Sequence, residues 1–286
     1  MKIKNLLTWA EEEIYKGTGS AIPAREAEML LEYILNISRE KLYITLHEEF
    51  PSEYLEGYKS IVLERASGKP LSYITQTKEF MSLPFFVNSS VLIPRPETEI
   101  LVEEILGMSK NIKNPAILDI GTGSGCIGLS LACYLKESSV SVTDISPEAI
   151  AIAKKNAVNL SLTSVSFYCG DLFEPVKGLL FDIIVSNPPY ISYEEMNGIS
   201  REVKDYEPSI ALFSDEEGLF FYKKIISEAK NYLKKEGFLT FEVGMGQAET
   251  VSNLMKIHNF QDIKIVKDFS GIDRVITGVR SECCLF

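Results

Sequence analysis

Histidine, tryptophan and cysteine are scarce in this chain. Its 286 residues include two His, one Trp and five Cys. Cys126, Cys133, Cys169, Cys283 and Cys284 form no Cys-x-x-Cys pair, and His47 and His258 are the only histidines. Zinc-ligand spacing is therefore missing and no metal is expected. The odd cysteine count also argues against a disulfide framework. No apolar run approaches the ~18–20 residues of a membrane span. Glu11, Glu12 and Glu13 stand where a signal peptide needs an uncharged apolar stretch, so a cytoplasmic protein with no membrane association is expected. Basic excess is missing too. A net charge of −11 argues against binding duplex nucleic acid, which relies on many Lys/Arg–phosphate contacts. It suits a protein partner, particularly a basic one.

What is present suffices for a folded protein. Hydrophobic residues make up 45% of the chain, and the length accommodates one large domain plus a small one. The first ~75 residues read as helices. Ile3, Leu6, Leu7, Ala10 and Ile14 share one helical face, and Ala27, Leu30, Leu31, Ile34 and Leu35 share another after Pro23. A further helix spans 52–66, before Gly68-Lys69-Pro70. Between Lys78 and Ile93 the residues become β-formers, and Asn88-Ser89-Ser90 predicts the turn of a hairpin. Pro94-Arg95-Pro96-Glu97-Thr98-Glu99 follows, with a helix starting near Pro96.

From Pro115 onward strands and helices alternate. Strands are predicted at 116–120, 139–143, 164–168, 181–186 and 238–243, with helices near 125–136, 147–160 and 217–235. Such alternation implies a doubly wound α/β fold with a mostly parallel sheet. The last strands, 262–267 and 274–280, are too close together for a helical crossover and should pair antiparallel.

Two motifs carry chemistry. The first is Asp119-Ile120-Gly121-Thr122-Gly123-Ser124-Gly125, which closes the first strand of the alternating region. Glycines there let the backbone turn tightly and let a ligand approach it. Gly123, Gly125 and Gly128 also match dinucleotide-fingerprint spacing, which leaves a nicotinamide-dependent oxidoreductase open on the glycines alone. The register beginning at Asp119 instead resembles the first motif of class I methyltransferases. In that reading Asp119 holds the methionine end of the cofactor. Asp144, ending the second strand, accepts ribose hydroxyls of either cofactor. Asp171 and Leu172, after the third, accept the adenine amino group and pack on its ring.

The second motif, Asn187-Pro188-Pro189-Tyr190, ends the strand Ile183-Ile184-Val185-Ser186. An amide or aromatic amine nitrogen is a poor nucleophile, because its lone pair is delocalised. It must be held so that this pair faces the incoming methyl carbon. The Asn187 side-chain oxygen and the Pro188 carbonyl each accept one N–H of such a group. Acceptors aimed at the nitrogen favour the positive charge that develops there. Two prolines fix the loop, and Tyr190 covers the flat face of the substrate. The motif by itself fits a DNA or RNA adenine-type amino-group methyltransferase as well as a protein-amide methyltransferase.

The chain resembles, over essentially its full length, the HemK/PrmC protein-(glutamine-N5) methyltransferases. The resemblance rests on the helical N-terminal segment, the hairpin, Pro94-Arg95-Pro96-Glu97-Thr98-Glu99, the glycine turn and Val185-Ser186-Asn187-Pro188-Pro189-Tyr190-Ile191. It implies a Rossmann-like class I methyltransferase fold with a seven-stranded, mostly parallel sheet and an antiparallel last strand. An N-terminal helical substrate-recognition domain would span 1–76, a hairpin linker 77–95 and the methyltransferase domain 96–286. The implied cofactor is S-adenosylmethionine, leaving as S-adenosylhomocysteine. The implied substrate is the glutamine of the Gly-Gly-Gln motif in class 1 peptide-chain release factors. The resemblance places cofactor contacts at Gly121, Thr122, Gly123, Ser124, Gly125, Asp144, Leu172 and Asn187, and substrate contacts at Asn187, Pro188, Pro189 and Tyr190. Leu172 departs from members with an aromatic residue there. A monomer is expected, and Arg95, Glu97 and Thr98 receive no role.

Overall fold

The computed structural model describes residues 1–281, so Cys283 and Cys284 lie outside the described residues. Cys126, Cys133 and Cys169 are free thiols. The chain divides into two compact units. One comprises Met1–Thr77 and Ser200–Tyr206, the other Lys78–Ile199 and the chain from Glu207 onward.

The first unit contains α1 (Ile3–Thr18), α2 (Pro23–Leu35), α3 (Arg39–Thr45), α4 (Ser52–Ala66) and α5 (Leu71–Thr75). Leu6, Ala10, Ile14, Ala27, Leu30 and Leu31 are fully buried, on the faces that the sequence periodicity marks. Tyr58 fills the centre and donates its hydroxyl to the Ala27 carbonyl at 3.0 Å. The short helices α3 and α5 escape sequence periodicity, because one or two turns display no repeat. Glu26 and Arg65 form a buried fork, with Nε and Nη2 at 3.2 and 3.0 Å from the two carboxylate oxygens. Arg65 Nη2 also reaches Glu202 at 3.2 Å. The 200–206 segment thus belongs with the helices, although it falls inside the 96–286 span.

In the second unit, β1 (Thr77–Phe80) and β2 (Leu83–Phe86) form the hairpin. Its turn is at Met81-Ser82, not at Asn88-Ser89-Ser90 as the turn propensities predict. Met81 and Ser82 take φ of 50° and 56°, the left-handed pair that a two-residue hairpin needs. Tertiary contacts hold the unusual turn. The Met81 N–H donates to Glu99 Oε1 at 2.6 Å, and the Met81 carbonyl accepts from the Tyr134 hydroxyl at 2.6 Å. Asn88 only closes a local bend by accepting from the Ser90 N–H.

α6 (Pro96–Met108) leads into the main sheet, formed by β3 (Ala116–Ile120), β4 (Ser139–Asp144), β5 (Val165–Cys169), β6 (Phe181–Ser186), β9 (Leu233–Glu242), β10 (Phe260–Lys267) and β11 (Asp273–Arg280). The short strands β7 (Ile191–Ser192) and β8 (Phe213–Ser214) pair separately. The seven strands run in the order β10-β11-β9-β6-β3-β4-β5. β5, β4, β3, β6 and β9 are parallel, and β11 is antiparallel to both β9 and β10. This is the mostly parallel seven-stranded sheet with an antiparallel last strand. Successive strand residues point to opposite faces. Leu118, Ile184 and Leu239 therefore join one core, and Ile117, Ile183 and Val275 another.

The first core is covered by α9 (Phe220–Ala229) and α10 (Ala248–Ile257). The second is covered by α6, α7 (Cys126–Tyr134) and α8 (Pro147–Asn159). α9 is shorter than the predicted 217–235. The chain turns at Asn231-Tyr232 so that Leu233 can pair with Phe181.

Candidate active site

β3, β4, β5 and β6 end at one edge of the sheet, where doubly wound folds place their ligands. A cavity of about 180 Å³ opens there. Gly121, Thr122, Gly123 and Ser124 line it after β3, Asp144 at the end of β4, Asp171 and Leu172 after β5, and Asn187, Pro188 and Pro189 after β6.

The glycine turn is pinned to its neighbour strand. Gly121 and Thr122 N–H groups both donate to the Thr143 carbonyl, at 2.9 and 3.0 Å. The Gly123 N–H donates to Asp144 Oδ2 at 2.9 Å, while Asp144 Oδ1 accepts from Ser146 N–H at 2.9 Å. Burial raises the Asp144 pKa, and these N–H donors oppose the rise. A carboxylate offers about four acceptor sites, so Asp144 keeps capacity for a pair of hydroxyls. Gly121 and Gly123 hold φ of 69° and 56°, and a Cβ on either would enter open space. Ser124 Oγ and Thr143 Oγ1 are buried without partners, and both residues line the cavity. Open space beside the backbone, a carboxylate with spare acceptor sites and two unmatched hydroxyls fit a polar cofactor with a ribose. Leu172 takes φ of 43°, an uncommon conformation for a residue with a side chain. It packs on the first core from the cavity wall.

Three predicted residues fall outside the cavity wall. Asp119 points inward, because alternation along β3 gives the cavity-facing position to Ile120. Fully buried, it accepts from the Thr122 hydroxyl at 2.6 Å and the Gly128 N–H at 3.0 Å. Desolvation raises its pKa to about 6. It braces the glycine turn from behind. Gly125 caps α7 with a left-handed φ of 84°, and it too lies behind the wall. Tyr190 packs partly buried on the first core. Its hydroxyl reaches Glu242 Oε1 at 3.4 Å, and burial pushes its pKa up, keeping the phenol neutral.

Asn187 donates from Nδ2 to Thr98 Oγ1 at 3.3 Å. Thr98 and Arg95, both from the segment without an assigned role, line the cavity. Arg95 Nη2 pairs with the buried Glu207 at 2.5 Å, and Glu207 also accepts the Ile93 N–H at 3.3 Å. Sequence reasoning missed Glu207, Glu242 and Asn156. Asn156 is fully buried. It pairs with both the N–H and the carbonyl of Phe86, and donates to the Ser124 carbonyl at 2.8 Å. It therefore ties the hairpin to the glycine turn. Its position on the apolar face of an otherwise regular helix was the available signal. Cys126, on the cavity wall, is an inert thiol, its pKa pushed up to about 12 by burial.

A doubly wound sheet with a glycine turn after its first parallel strand, a carboxylate after the second and Asn-Pro-Pro-Tyr after the fourth defines a class I methyltransferase. Residues 96–202 match the methyltransferase small domain family, and residues 5–75 match the PrmC N-terminal domain. A release factor glutamine methyltransferase from Clostridium acetobutylicum is 42% identical, covering 98% of this chain and 99% of that protein. One from Geobacter sulfurreducens is 41% identical, covering 96% of each. The crystal structure of a methyltransferase from Pyrococcus furiosus shares the fold, at 17% identity and a TM-score of 0.52, over 72% of this chain and 92% of that one. The chain belongs to the HemK/PrmC family of release factor glutamine methyltransferases.

Proposed function

We propose that the protein transfers a methyl group from S-adenosylmethionine to the side-chain amide nitrogen of the glutamine in the Gly-Gly-Gln motif of class 1 peptide-chain release factors. The observation that carries this reading is the position of Asn187, Pro188 and Pro189 on the same cavity wall as the glycine turn. It brings amide acceptors and a cofactor cradle together.

Gly121 to Ser124 would hold the methionine end of the cofactor, Asp144 the ribose, and Asp171 with Leu172 the adenine. When bound, the cofactor supplies an electrophilic methyl carbon on a sulfonium. The protein's own residues do the rest. Asn187 Oδ1 and the Pro188 carbonyl accept the two N–H groups of the glutamine amide, turning its nitrogen toward that carbon. Neither Pro188 nor Pro189 has an N–H, so no competing donor stands beside these acceptors. Both acceptors favour the charge that develops on nitrogen. Fixing the approach contributes a further part of the barrier lowering. The proton released afterwards goes to water, so no strong base is required. Tyr190 supports the loop from behind.

The helical unit is the proposed docking module for the release factor. It exposes Tyr33, Tyr43 and Ile44, apolar side chains of the kind that protein partners cover. The acidic charge favours a protein partner over direct nucleic-acid binding. No helix among the described residues is long and apolar enough to cross a membrane. A substrate that belongs to the translation machinery would place the protein in the cytoplasm, and we propose that it acts there as a monomer.

The test is transfer of labelled methyl from S-adenosylmethionine to a purified release factor. Label is expected on the wild-type factor and not on one whose motif reads Gly-Gly-Ala. Equal labelling of both factors would refute the assigned acceptor.

A further inference from the structure

β9 ends at Glu242, and the chain continues as Val243-Gly244-Met245-Gly246-Gln247. This segment grips both ends of the Asn187-to-Tyr190 tetrapeptide. Glu242, 2% exposed, accepts from the Thr98 hydroxyl through Oε2 at 2.5 Å and from the Tyr190 hydroxyl through Oε1 at 3.4 Å. Thr98 Oγ1 accepts in turn from Asn187 Nδ2. Gln247 donates from Nε2 to the Tyr190 carbonyl at 2.9 Å, and its Oε1 accepts from the Gly244 N–H at 3.0 Å. The same carbonyl leaves no room for a side chain at Gly218, where a Cβ would lie 2.1 Å away.

The direction of these hydrogen bonds follows from counting protons. A threonine hydroxyl carries one. With Glu242 ionised, Thr98 directs it at the carboxylate, so toward Asn187 it can only accept. Burial raises the Glu242 pKa, and the Thr98 and Tyr190 hydroxyls and the Arg274 charge oppose that rise. An acceptor beside a planar amide selects one of its two flips, with the NH2 toward the acceptor and the oxygen turned away. The Asn187 oxygen is thereby freed from Thr98. In the opposite flip Asn187 would present an N–H to a substrate nitrogen that also bears N–H groups, and the two would repel.

We infer that Glu242 and Thr98 are positioning residues that set the flip of the Asn187 amide, so that its oxygen faces the nitrogen to be methylated. The inference rests on the amide-methylating reading of the site. Neither residue touches the reacting atoms. Glu242 fixes the Thr98 proton, and Thr98 fixes Asn187. The second carboxyl oxygen holds Tyr190, so one buried group keeps the two ends of the loop in register.

Thr98→Val removes the hydroxyl at nearly constant shape, and Thr98→Ser restores it. The full-length protein with 15N-labelled asparagine reports the Asn187 NH2 signals, assigned by their loss in Asn187→Ala. Thr98→Val is expected to shift those signals and speed their hydrogen exchange, and Thr98→Ser to keep them near the wild-type values. With release factor as substrate, kcat should fall about tenfold in Thr98→Val, the scale of one lost hydrogen bond. It should recover to within about threefold of wild type in Thr98→Ser, with KM for S-adenosylmethionine unchanged in both. Unmoved Asn187 signals in Thr98→Val, or equal kcat losses in the two variants, would overturn the inference. The spectroscopic arm needs no substrate. A wild-type protein inactive on release factors therefore refutes the proposed substrate, while the NMR result decides the positioning role separately.

Discussion

The helical unit and the sheet-bearing unit differ in how completely they satisfy their buried polar groups. Each has a carboxylate paired with a guanidinium, Glu26 with Arg65 and Glu207 with Arg95, but only the second also leaves buried polar atoms without partners among the described residues. In the helical unit, Glu26 lies in a two-pronged guanidinium fork from Arg65, and Tyr58 donates to a carbonyl. Every polar group in that cluster has a partner within the same unit. In the sheet-bearing unit, Glu242 is held by two hydroxyls, and Asp119 keeps Oδ1 buried without a partner. Among the described residues, the other unpartnered buried side-chain atoms belong to Ser124, Ser130, Ser138 and Thr143, all in the sheet-bearing unit. Ser124 and Thr143 lie at the glycine turn and the strand end beside it. Buried polar groups are normally satisfied, so this uneven distribution separates a scaffold from a site. One unit completes its hydrogen bonds on folding. The other leaves Ser124 Oγ and Thr143 Oγ1 on the cavity wall, where a ligand can complete them, while Asp119, Ser130 and Ser138 lie away from that wall.

Substitutions in each unit should therefore move different observables. The largest effect is expected from Asn187→Ala, which removes an acceptor aimed at the reacting nitrogen. We expect kcat to fall about 10²–10³-fold, the range for losing one preorganised group, with the melting temperature unchanged. Steady-state kinetics and thermal unfolding on the same preparation check this. Next, Glu26→Ala leaves the Arg65 charge buried with only Glu202 beside it. The unfolding free energy of the helical unit should drop by about 3 kcal/mol. Affinity for S-adenosylmethionine, measured by calorimetry, should stay at the wild-type value. A loss of cofactor binding would erase the distinction drawn between the units.

The third effect, similar in total size but spread over a pH window, sharpens the comparison. The folded-state pKa of Asp119 is raised from 3.8 to about 6. Below the unfolded value the group is neutral in both states and causes no penalty. Between about 3.8 and about 6 the unfolded chain is ionised while the folded group stays protonated, so folding must take up a proton; above about 6 both states are charged and the loss is complete. Stability is therefore lost over this window, on the order of 3 kcal/mol in total. Asp119→Asn cannot ionise and should gain on the wild type across the same window, in denaturant titrations without cofactor. A difference between the two proteins that stays flat with pH would contradict the assignment.

The sheet was legible from the sequence because short apolar runs bounded by turn residues and strand–helix alternation are local signals, and the central strands β3 and β6 are buried at nearly every residue. Strand 181–186 and the antiparallel pairing of the last two strands followed from run lengths alone. The hairpin turn was misplaced for the opposite reason. Met81-Ser82 has no turn chemistry of its own and is held by Glu99 and Tyr134, which are distant in sequence. The site divides the same way. Glycines and prolines at strand ends announce the cavity wall, and Asp144, Leu172 and Asn187 lie on it. Nothing local distinguishes Asp119, which faces inward, from Asp144, which lines the cavity. Thr98 reads as an ordinary first-turn residue of α6 until β9 brings Glu242 within 2.5 Å of it.

The central claim is that this site methylates an amide nitrogen of a protein glutamine. Fragmentation mass spectrometry of a release factor incubated with the protein and S-adenosylmethionine tests it most directly. The account predicts one added methyl group on the side-chain nitrogen of the Gly-Gly-Gln glutamine, absent when Asn187→Ala replaces the wild-type protein. A methyl group on any other residue, or an unmodified factor alongside methylated adenine in added nucleic acid, would contradict it.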